Sequence, residues 1–487
     1  MRVSVVSSFD RRPRALEDVV HGFHAFASSR RDSGMGSLLS FLTAAYYMPR
    51  LYFSPNSVKV ALRRTFAAKE EQQITLHELV KARCPSLFRE YRPAWWLASG
   101  HLQTLYCVVG DFSNVDKVEY DRTLLRTLDG GTIGLDFTPP QDQRMLPEET
   151  PIVVVLHGLT GGSHESYVRA ILAPACTPIE NGGLGYRGVV VNFRGCAGVP
   201  ITSPQLYSAG HTDDIRVALM YLSKRYPKAP LLGLGFSLGA NVLTRYLAEE
   251  GEYSRIVAGC VLACPWDLLA NGESLETHWL QSRTYSRGMA RNLIVLMKRH
   301  LSSLAKFPES DLYKAIHKIT SMSHPTLMQF DDTVTRVGGG SSPPFPFPSA
   351  RDYYRWASSH NLLPHVRVPL LALNSADDPI VRTLPIDKGE DALGPSVVFG
   401  VTNGGGHLGW FEYGATRFSL NRWMKKPVLE WLKAMGEDIA IDVRTKDLRE
   451  VDGFLKEEGR NDIGCKEVGG GGHVIGIEGE EGLLAGL

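Results

Sequence analysis

The stretch Leu231-Leu232-Gly233-Leu234-Gly235-Phe236-Ser237-Leu238-Gly239 decides how this chain folds. Its first six residues form a continuous apolar run, which is typical of a strand buried on both faces. From Leu238 to Glu250 the apolar residues recur with helical spacing, which predicts a helix that begins at once. A strand that turns directly into a helix needs small residues at the turn, and Gly235 and Gly239 supply them. Ser237 therefore stands at a tight strand-to-helix turn.

The alternation of strand and helix continues on both sides of this turn. Strands are predicted at Ile152–Leu156, Gly188–Phe193, Leu231–Phe236, Ile256–Ala263, Val368–Asn374 and Ser396–Val401, and helices at Asp213–Tyr226, Leu238–Glu250 and Pro427–Met435. Repeated strand–helix–strand order predicts an α/β fold, with a mostly parallel sheet and helices on both faces. Alternating polarity at 118–138, interrupted by Asp129-Gly130-Gly131, predicts a β-hairpin before the parallel part.

Three segments depart from this alternation and suggest the domain organisation. Residues 1–50 have no clear period, and we interpret them as an extension that is poorly ordered or in contact with a membrane. We expect residues 51–439 to form the main domain, with a helical cap or lid inserted at about 265–365. Residues 440–487 are acidic and then glycine-rich, which predicts a flexible tail.

Composition excludes several classes of protein. The 487 residues are 43% hydrophobic and 22% charged, as in soluble globular proteins, and a formal net charge of +1 gives no reason to expect a nucleic acid partner. The seven cysteines are widely spaced and form no Cys-x-x-Cys pair, which favours reduced thiols in an intracellular protein. We therefore expect a cytoplasmic protein or one peripherally associated with a membrane.

Charge is uneven at the two ends of the chain. Residues 1–65 carry ten Lys and Arg against four Asp and Glu, whereas residues 437–487 carry six basic residues against thirteen acidic ones. Two solvated tails would explain this distribution. The alternative is a basic N-terminus on an anionic membrane or lipid-droplet surface, with the apolar segment 37–53 as a weak interfacial anchor.

A serine at such a turn can act as a nucleophile, because its Oγ projects at the carboxyl ends of the strands. The serine needs a base to accept its proton, and the acid and histidine partners follow it in chain order. Asp377 and Asp378 come just after the strand 368–374, and His407 follows the strand 396–401 after three glycines. Asp378 precedes Pro-Ile-Val and is the preferred acid, while Asp377 is the alternative that would accept hydrogen bonds within the loop.

An acyl-transfer site also needs two donors for the oxyanion. The N–H of Leu238, next to the nucleophile, is one candidate. The N–H of Leu159 is the other, because the turn His157-Gly158-Leu159-Thr160-Gly161-Gly162 follows the strand Ile152–Leu156. His157 has no second ligand at metal-binding spacing, so we interpret it as a hydrogen-bond donor that shapes the loop.

The sequence gives no sign of a cofactor or a metal. Gly183–Gly188 matches the pattern Gly-x-Gly-x-x-Gly, but it precedes a strand, whereas the dinucleotide-binding pattern follows a strand and opens a helix. Cys260 and Cys264 lie in an apolar run and are predicted to be core residues. We expect no cofactor and no metal ion.

Seven motifs occur in this chain in the same order as in a known family. Because of them the chain resembles the α/β-hydrolase-4 family, which includes fungal medium-chain fatty acid ethyl ester synthase/esterases and animal lipid hydrolases. They cover about residues 50–435 and are Trp96-Leu97 with Gly100-His101-Leu102-Gln103-Thr104, the turn 157–162, Asn192-Phe193-Arg194-Gly195-Cys196, Tyr207 with Gly210-His211-Thr212-Asp213-Asp214-Ile215, Gly235–Asn241, Asp377-Asp378-Pro379, and Gly405-Gly406-His407-Leu408-Gly409. The resemblance implies the α/β-hydrolase fold and a triad of Ser237, Asp378 and His407.

The resemblance also implies a reaction class, in which lipid-like acyl esters, with medium-chain fatty acyl groups expected, react through an acyl-enzyme on Ser237. Water or another alcohol would then accept the acyl group, so that the partners are an ester, or acyl-CoA plus an alcohol. The alternatives are a non-catalytic binding protein of the same fold and a peptidase. Oligomeric state does not follow from the sequence.

Overall fold

The computed structural model describes residues 47–63, 72–414, 419–440 and 444–475. Twelve strands of the described residues form one sheet in the order β1-β11-β10-β9-β8-β6-β7-β5-β4-β16-β15-β14, and two pairs lie outside it. The strands are β1 Arg50–Phe53, β2 Lys59–Ala61, β3 Gln73–Thr75, β4 Glu119–Thr127, β5 Thr132–Thr138, β6 Ile152–Leu156, β7 Arg187–Asn192, β8 Leu231–Phe236, β9 Ile256–Leu262, β10 Leu370–Ser375, β11 Val397–Thr402, β12 Phe411–Tyr413, β13 Leu420–Arg422, β14 Leu448–Val451, β15 Phe454–Glu457 and β16 Arg460–Ile475.

The centre of the sheet is parallel, as the sequence predicts. Strands β7, β6, β8, β9, β10 and β11 pair in parallel, and each lies within two residues of its predicted bounds. Successive side chains of a strand point to opposite faces. Accordingly Val154 and Leu156 belong to one buried cluster, and Val153 and Val155 belong to the cluster on the other face. The α/β fold class is confirmed.

Helices cover both faces of the sheet. They are α1 Leu76–Arg83, α2 Gly100–Val109, α3 Ser166–Cys176, α4 Asp213–Arg225, α5 Leu238–Glu250, α6 Leu268–Thr277, α7 Trp279–Gln281, α8 Arg287–Arg299, α9 Leu301–Leu304, α10 Asp311–Thr320, α11 Leu327–Phe330, α12 Arg336–Gly338, α13 Ala350–Ala357 and α14 Lys425–Lys433. Helices α6 to α13 all lie between β9 and β10, the interval in which the sequence predicts an insertion. Because α7, a π-helix at Ser282–Ser286 and α8 follow one another directly, Trp279–Arg299 is one helical run.

The predicted hairpin is present, but the predicted flexible tail is not. Strands β4 and β5 pair antiparallel around Gly130, whose φ is +81°. Strand β16 then pairs antiparallel with β4, and β15 and β14 extend the sheet further. The prediction of a tail from residue 440 is therefore wrong for residues 448–475, and the domain does not end at 439.

The glycine run explains this error. It lies where the register between β16 and β4 shifts, between Val468 and Gly472. Gly470 and Gly472 have φ values of +104° and +145°, which favour glycine, so the run forms an irregularity within a strand. A glycine-rich composition alone does not distinguish a bulge from a linker.

At the N-terminal side, β1 pairs antiparallel with β11 at one edge of the sheet. The end of the segment predicted as a weak anchor is thus part of the sheet. The predictions for residues 1–46 and 476–487 lie outside the described residues. In the ranges that the structure describes, no helix is both long and apolar enough to cross a membrane.

Candidate active site

Ser237 lies at the tight turn between β8 and α5. Its φ is 50° and its ψ is −118°, a conformation that is costly for a residue with a side chain. The Ser237 N–H donates to the Leu262 carbonyl at 2.9 Å, which ties the turn to β9. A Cβ on Gly239 would lie 2.3 Å from the Leu156 oxygen, so only glycine lets α5 approach β6 this closely.

His407 follows β11 in a loop of unusual backbone conformation. Gly405 and Gly406 have φ values of +134° and +56°, so the glycines before the histidine are needed for the turn. The His407 N–H donates to Thr104 Oγ1 at 2.8 Å. Thr104 belongs to α2, which therefore holds the histidine loop from the side.

The structure brings the three predicted residues together. His407 Nε2 lies 2.8 Å from Ser237 Oγ, and His407 Nδ1 lies 2.8 Å from Asp378 Oδ2. The carboxylate accepts a hydrogen bond from the Nδ1–H group, which leaves Nε2 as the acceptor for the serine hydroxyl. The side chains of Asp378 and His407 have no exposed surface, so this hydrogen-bonded chain is shielded from solvent.

The two adjacent aspartates have different partners. Asp378 Oδ1 accepts hydrogen bonds from the backbone N–H groups of Ile380 and Val381, which fixes the carboxylate that faces His407. Asp377 Oδ1 instead accepts from the Gly406 N–H at 2.9 Å and from the Ser375 hydroxyl at 2.6 Å. The geometry thus favours Asp378 as the triad acid and gives Asp377 the loop-binding role.

Leu159 and Leu238 both line the cavity onto which Ser237 opens. Leu238 is the first residue of α5, where backbone N–H groups have no partner within the helix. The turn that carries Leu159 is held on both sides: the Gly158 N–H donates to the Tyr167 hydroxyl at 3.0 Å, and the Thr160 N–H donates to the Tyr207 hydroxyl at 3.1 Å. This arrangement suits the proposed oxyanion donors.

His157 is buried beside this turn and stays neutral. Burial lowers the pKa of His157 to about 3. Its Nε2 accepts from the Phe193 N–H at 3.2 Å, so its Nδ1 donates to the Gly158 carbonyl at 2.7 Å. His157 therefore connects the turn to Phe193, the residue after β7, through both ring nitrogens, beyond the donor role that the sequence suggests.

A largely apolar cavity of about 920 Å³, including the part open to solvent, lies over Ser237. Many of its lining residues come from the insertion between β9 and β10, and these are Leu268, Leu275, Met289, Leu293, Met297, Leu327, Phe330, Tyr353 and Tyr354. Asp331 also lines it, and burial raises the pKa of this carboxyl to about 6. The cavity can take an apolar chain whose reacting carbon lies at Ser237.

Gln103 and Thr104 support the site although the sequence does not predict this role for them. Gln103 Oε1 accepts from the Phe411 N–H at 2.7 Å, and its amide group donates to the Leu97 carbonyl at 2.8 Å. Both residues are fully buried on the inner face of α2. Two polar residues at the buried positions of a short helix are the signal that could have identified this support for the His407 loop.

Neither a metal site nor a dinucleotide site is evident in the described ranges. They contain no group of three or more His, Cys, Asp or Glu side chains suited to hold a metal ion. The segment Gly183–Gly188 leads into β7 and opens no helix. Cys260 and Cys264 are buried, as predicted, and burial raises the pKa of both thiols.

Several known proteins are similar to this chain over most of its length. A monoacylglycerol lipase of Saccharomyces cerevisiae is 32% identical over 78% of this chain and 89% of its own length. The medium-chain fatty acid ethyl ester synthase/esterase 2 of the same yeast is 28% identical over 75% of this chain and 91% of its own length. The human phospholipase ABHD3 is 30% identical over 71% of this chain and 80% of its own length.

The family model that matches describes the α/β-hydrolase fold and covers residues 151–412. These residues include the turn 157–162, Ser237, the insertion, Asp378 and His407. Together with the similarity to the yeast lipase, this match identifies the chain as a member of the α/β-hydrolase family.

Proposed function

We propose that this protein is a serine hydrolase of lipid-like carboxylic esters that works through an acyl-enzyme on Ser237. The observation that carries the proposal is the buried chain Ser237–His407–Asp378 at the base of an apolar cavity. The names of the relatives support the substrate class, because a monoacylglycerol lipase, a phospholipase and a fatty acid ethyl ester synthase/esterase all act on acyl esters of lipids.

The geometry supports the following steps. His407 Nε2 takes the proton from Ser237 Oγ as the oxygen attacks the acyl carbon, and Asp378 stabilises the resulting imidazolium. The N–H groups of Leu159 and Leu238 receive the oxyanion. The bond from carbon to the alcohol oxygen then breaks, and the alcohol leaves with the proton from Nε2. A water molecule gives a proton to Nε2 as its oxygen attacks the acyl carbon. The bond from that carbon to Ser237 Oγ then breaks, Nε2 returns the proton to Oγ, and the carboxylic acid leaves.

An alcohol in place of that water would give a new ester. The similarity to the ethyl ester synthase/esterase supports this second activity. With ethanol present, we expect ethyl ester to form beside free acid, in a ratio that rises with ethanol concentration. A series of p-nitrophenyl esters, run with and without ethanol and acyl-CoA, measures both the preferred chain length and this partition.

Labelling with a fluorophosphonate probe tests the central step. The purified protein should be labelled, and Ser237→Ala should abolish both labelling and ester hydrolysis. Ser208→Ala is a matched control, because Ser208 lines the same cavity and is also buried. Labelling that persists in Ser237→Ala, or that disappears in Ser208→Ala, would contradict the assignment.

Parallel assays separate the alternatives. Turnover of an amide at a rate comparable with that of the matched ester would favour a peptidase. Absence of both labelling and turnover in folded protein would favour a non-catalytic binding protein of the same fold.

A further inference from the structure

Helix α2 has its polar and apolar faces reversed relative to an ordinary surface helix. Its buried face carries Thr104, which accepts from the His407 N–H, and Gln103, which accepts from the Phe411 N–H at the start of β12. Its outer face carries Leu102, Leu105 and Val109, which are 45%, 51% and 63% exposed. An amphipathic surface helix normally buries its apolar side. The outer face of α2 is thus an apolar stripe without a partner among the described residues.

Two tryptophans extend this stripe before the helix begins. Trp95 and Trp96 are 59% and 40% exposed. The Trp96 ring packs edge-on against Tyr106 of α2 with a centroid distance of 5.1 Å, so it is held in place on the same surface. Contiguous exposed apolar groups of this kind mark interaction surfaces.

The helical run Trp279–Arg299 presents a second part of this surface. Its inner side chains Met289, Leu293 and Met297 line the cavity above Ser237. At its start, Trp279 and Leu280 are 72% and 46% exposed.

The outer side of the same run is basic. The run Trp279–Arg299 contains five Arg and Lys residues and no acidic residue. Arg283, Arg287, Arg291 and Lys298 are exposed, and none forms an ion pair with a carboxylate in the described part of the chain. Arg283 lies over the Trp279 ring at 5.9 Å, so the basic row adjoins the apolar start of the run. These four residues are the basic row, and their charge is available to an anionic partner.

The two parts meet at the edge of the candidate active site. His101 Nδ1 of α2 lies 2.8 Å from the Tyr285 hydroxyl of the helical run, and the two rings stack at 5.7 Å. Gln281 donates to the Pro379 carbonyl at 3.1 Å, next to Asp378. The combined surface therefore borders both loops that carry the partners of Ser237.

We propose that this surface, formed by Trp95, Trp96, the outer face of α2 and the outer face of Trp279–Arg299, docks on an anionic phospholipid bilayer. Apolar and aromatic side chains enter the boundary between head groups and acyl chains, and the basic row attracts anionic head groups. A second copy of the chain is disfavoured as the occupant, because the two basic rows would repel each other. The inference rests on the proposed function in one respect, since the docked side is the side on which a lipid ester would reach Ser237.

Vesicle co-sedimentation of full-length Ser237→Ala protein tests the docking apart from catalysis. Binding should be strong to mixed phosphatidylcholine–phosphatidylserine vesicles, weak to phosphatidylcholine alone, and reduced by salt. Replacing Leu105 and Val109 by Ser, or Arg287 and Arg291 by Glu, should each weaken binding by about tenfold or more.

Matched controls lie away from the proposed surface. Met145→Ser with Ile179→Ser replaces exposed apolar residues near the amino ends of β6 and β7, and Lys224→Glu with Arg449→Glu reverses exposed charges. These variants should bind vesicles like the parent. In an active Ser237 background, hydrolysis of a soluble short-chain ester should remain unchanged in all four variants, which verifies their folding.

The outcomes separate the two proposals. Absence of ester hydrolysis by the protein that retains Ser237, with intact vesicle binding, would contradict the proposed function alone. Equal vesicle binding by surface and control variants, or equal binding to neutral and anionic vesicles, would overturn the docking surface. A dimer that dissociates when Leu105 and Val109 are replaced, with no vesicle binding by the parent, would identify a second copy as the occupant and also overturn it.

Discussion

At the scale of single residues, the adjacent Asp377 and Asp378 offer a sharp test of the site. Only Asp378 contacts the His407 ring, whereas Asp377 binds Ser375 and Gly406. Asp378→Asn should lower kcat for a soluble ester by about 10³–10⁴, because the amide favours the wrong histidine tautomer. Asp377→Asn keeps an acceptor oxygen for the loop and should cost less than about tenfold. Equal losses in the two variants would contradict the assignment of the acid.

A second residue-scale prediction concerns the pH dependence of stability. Burial raises the pKa of the Glu165 carboxyl from its usual 4.5 to about 7, and its Oε1 has no hydrogen-bond partner within the described residues. Between these two pKa values the folded protein holds a proton that the unfolded chain releases. This carboxyl therefore makes the free energy of unfolding fall as pH rises from about 4.5 to 7. Above pH 7 this penalty, the loss of unfolding free energy, stays at its full value.

Glu165→Gln should remove this penalty. Relative to the parent, the variant should gain on the order of 2–3 kcal/mol more unfolding free energy at about pH 8 than at about pH 4.5. Denaturant unfolding at the two pH values measures the difference, and Glu180→Gln, at an exposed position, is the control. A variant whose advantage did not grow with pH would show that the folded protein ionises Glu165 without cost.

At the scale of elements, the turn 157–162 depends on a tyrosine from α3. The Tyr167 hydroxyl accepts the Gly158 N–H, and the Tyr246 hydroxyl accepts the Arg255 N–H in the same way far from the site, also at 3.0 Å. Each Tyr→Phe change leaves a buried N–H unpaired and should cost about 1–3 kcal/mol of stability. Only Tyr167→Phe should also lower kcat, by about tenfold, because it loosens a donor to the oxyanion. A similar fall in kcat for Tyr246→Phe would refute this positioning role.

The elements that the sequence predicts well are those with a strong local signal. The strand 231–236 and the helix 238–250 have the bounds expected from the apolar run and the helical period. The strand is easily recognised because a parallel strand that is buried on both faces is apolar along its whole length. Chain order predicts an acid before His407, and the Pro-Ile-Val that follows Asp378 favours it over Asp377, but the separate tasks of the two aspartates depend on loop geometry. The sequence pattern does not reveal helix α2 as a support, because its polar residues are buried and its apolar residues are exposed, the reverse of the usual pattern.

At the scale of the whole molecule, the segment 448–475 completes the sheet at the edge opposite β1. Strand β16 covers β4, Cys465 is fully buried, and Arg255 pairs with Glu457 at 3.2 Å with both side chains buried. Sequence composition could not predict this, because acidic and glycine-rich residues acquire their role only from pairing with a strand more than 300 residues away. Without this segment, β4 would be an unpaired edge.

Deletion of residues 444–487 tests the contribution of this edge. The deletion should lower the unfolding temperature and promote aggregation, because it exposes the β4 edge and leaves the buried Arg255 guanidinium without Glu457. Glu457→Ala should reproduce part of the loss, on the order of 3 kcal/mol or less, because Arg255 also donates to the Lys446 carbonyl. Deletion of residues 476–487 removes none of the described strands and serves as the control in thermal unfolding and light scattering. If the longer deletion unfolded at the same temperature as this control, the last three strands would add nothing to the stability of the sheet.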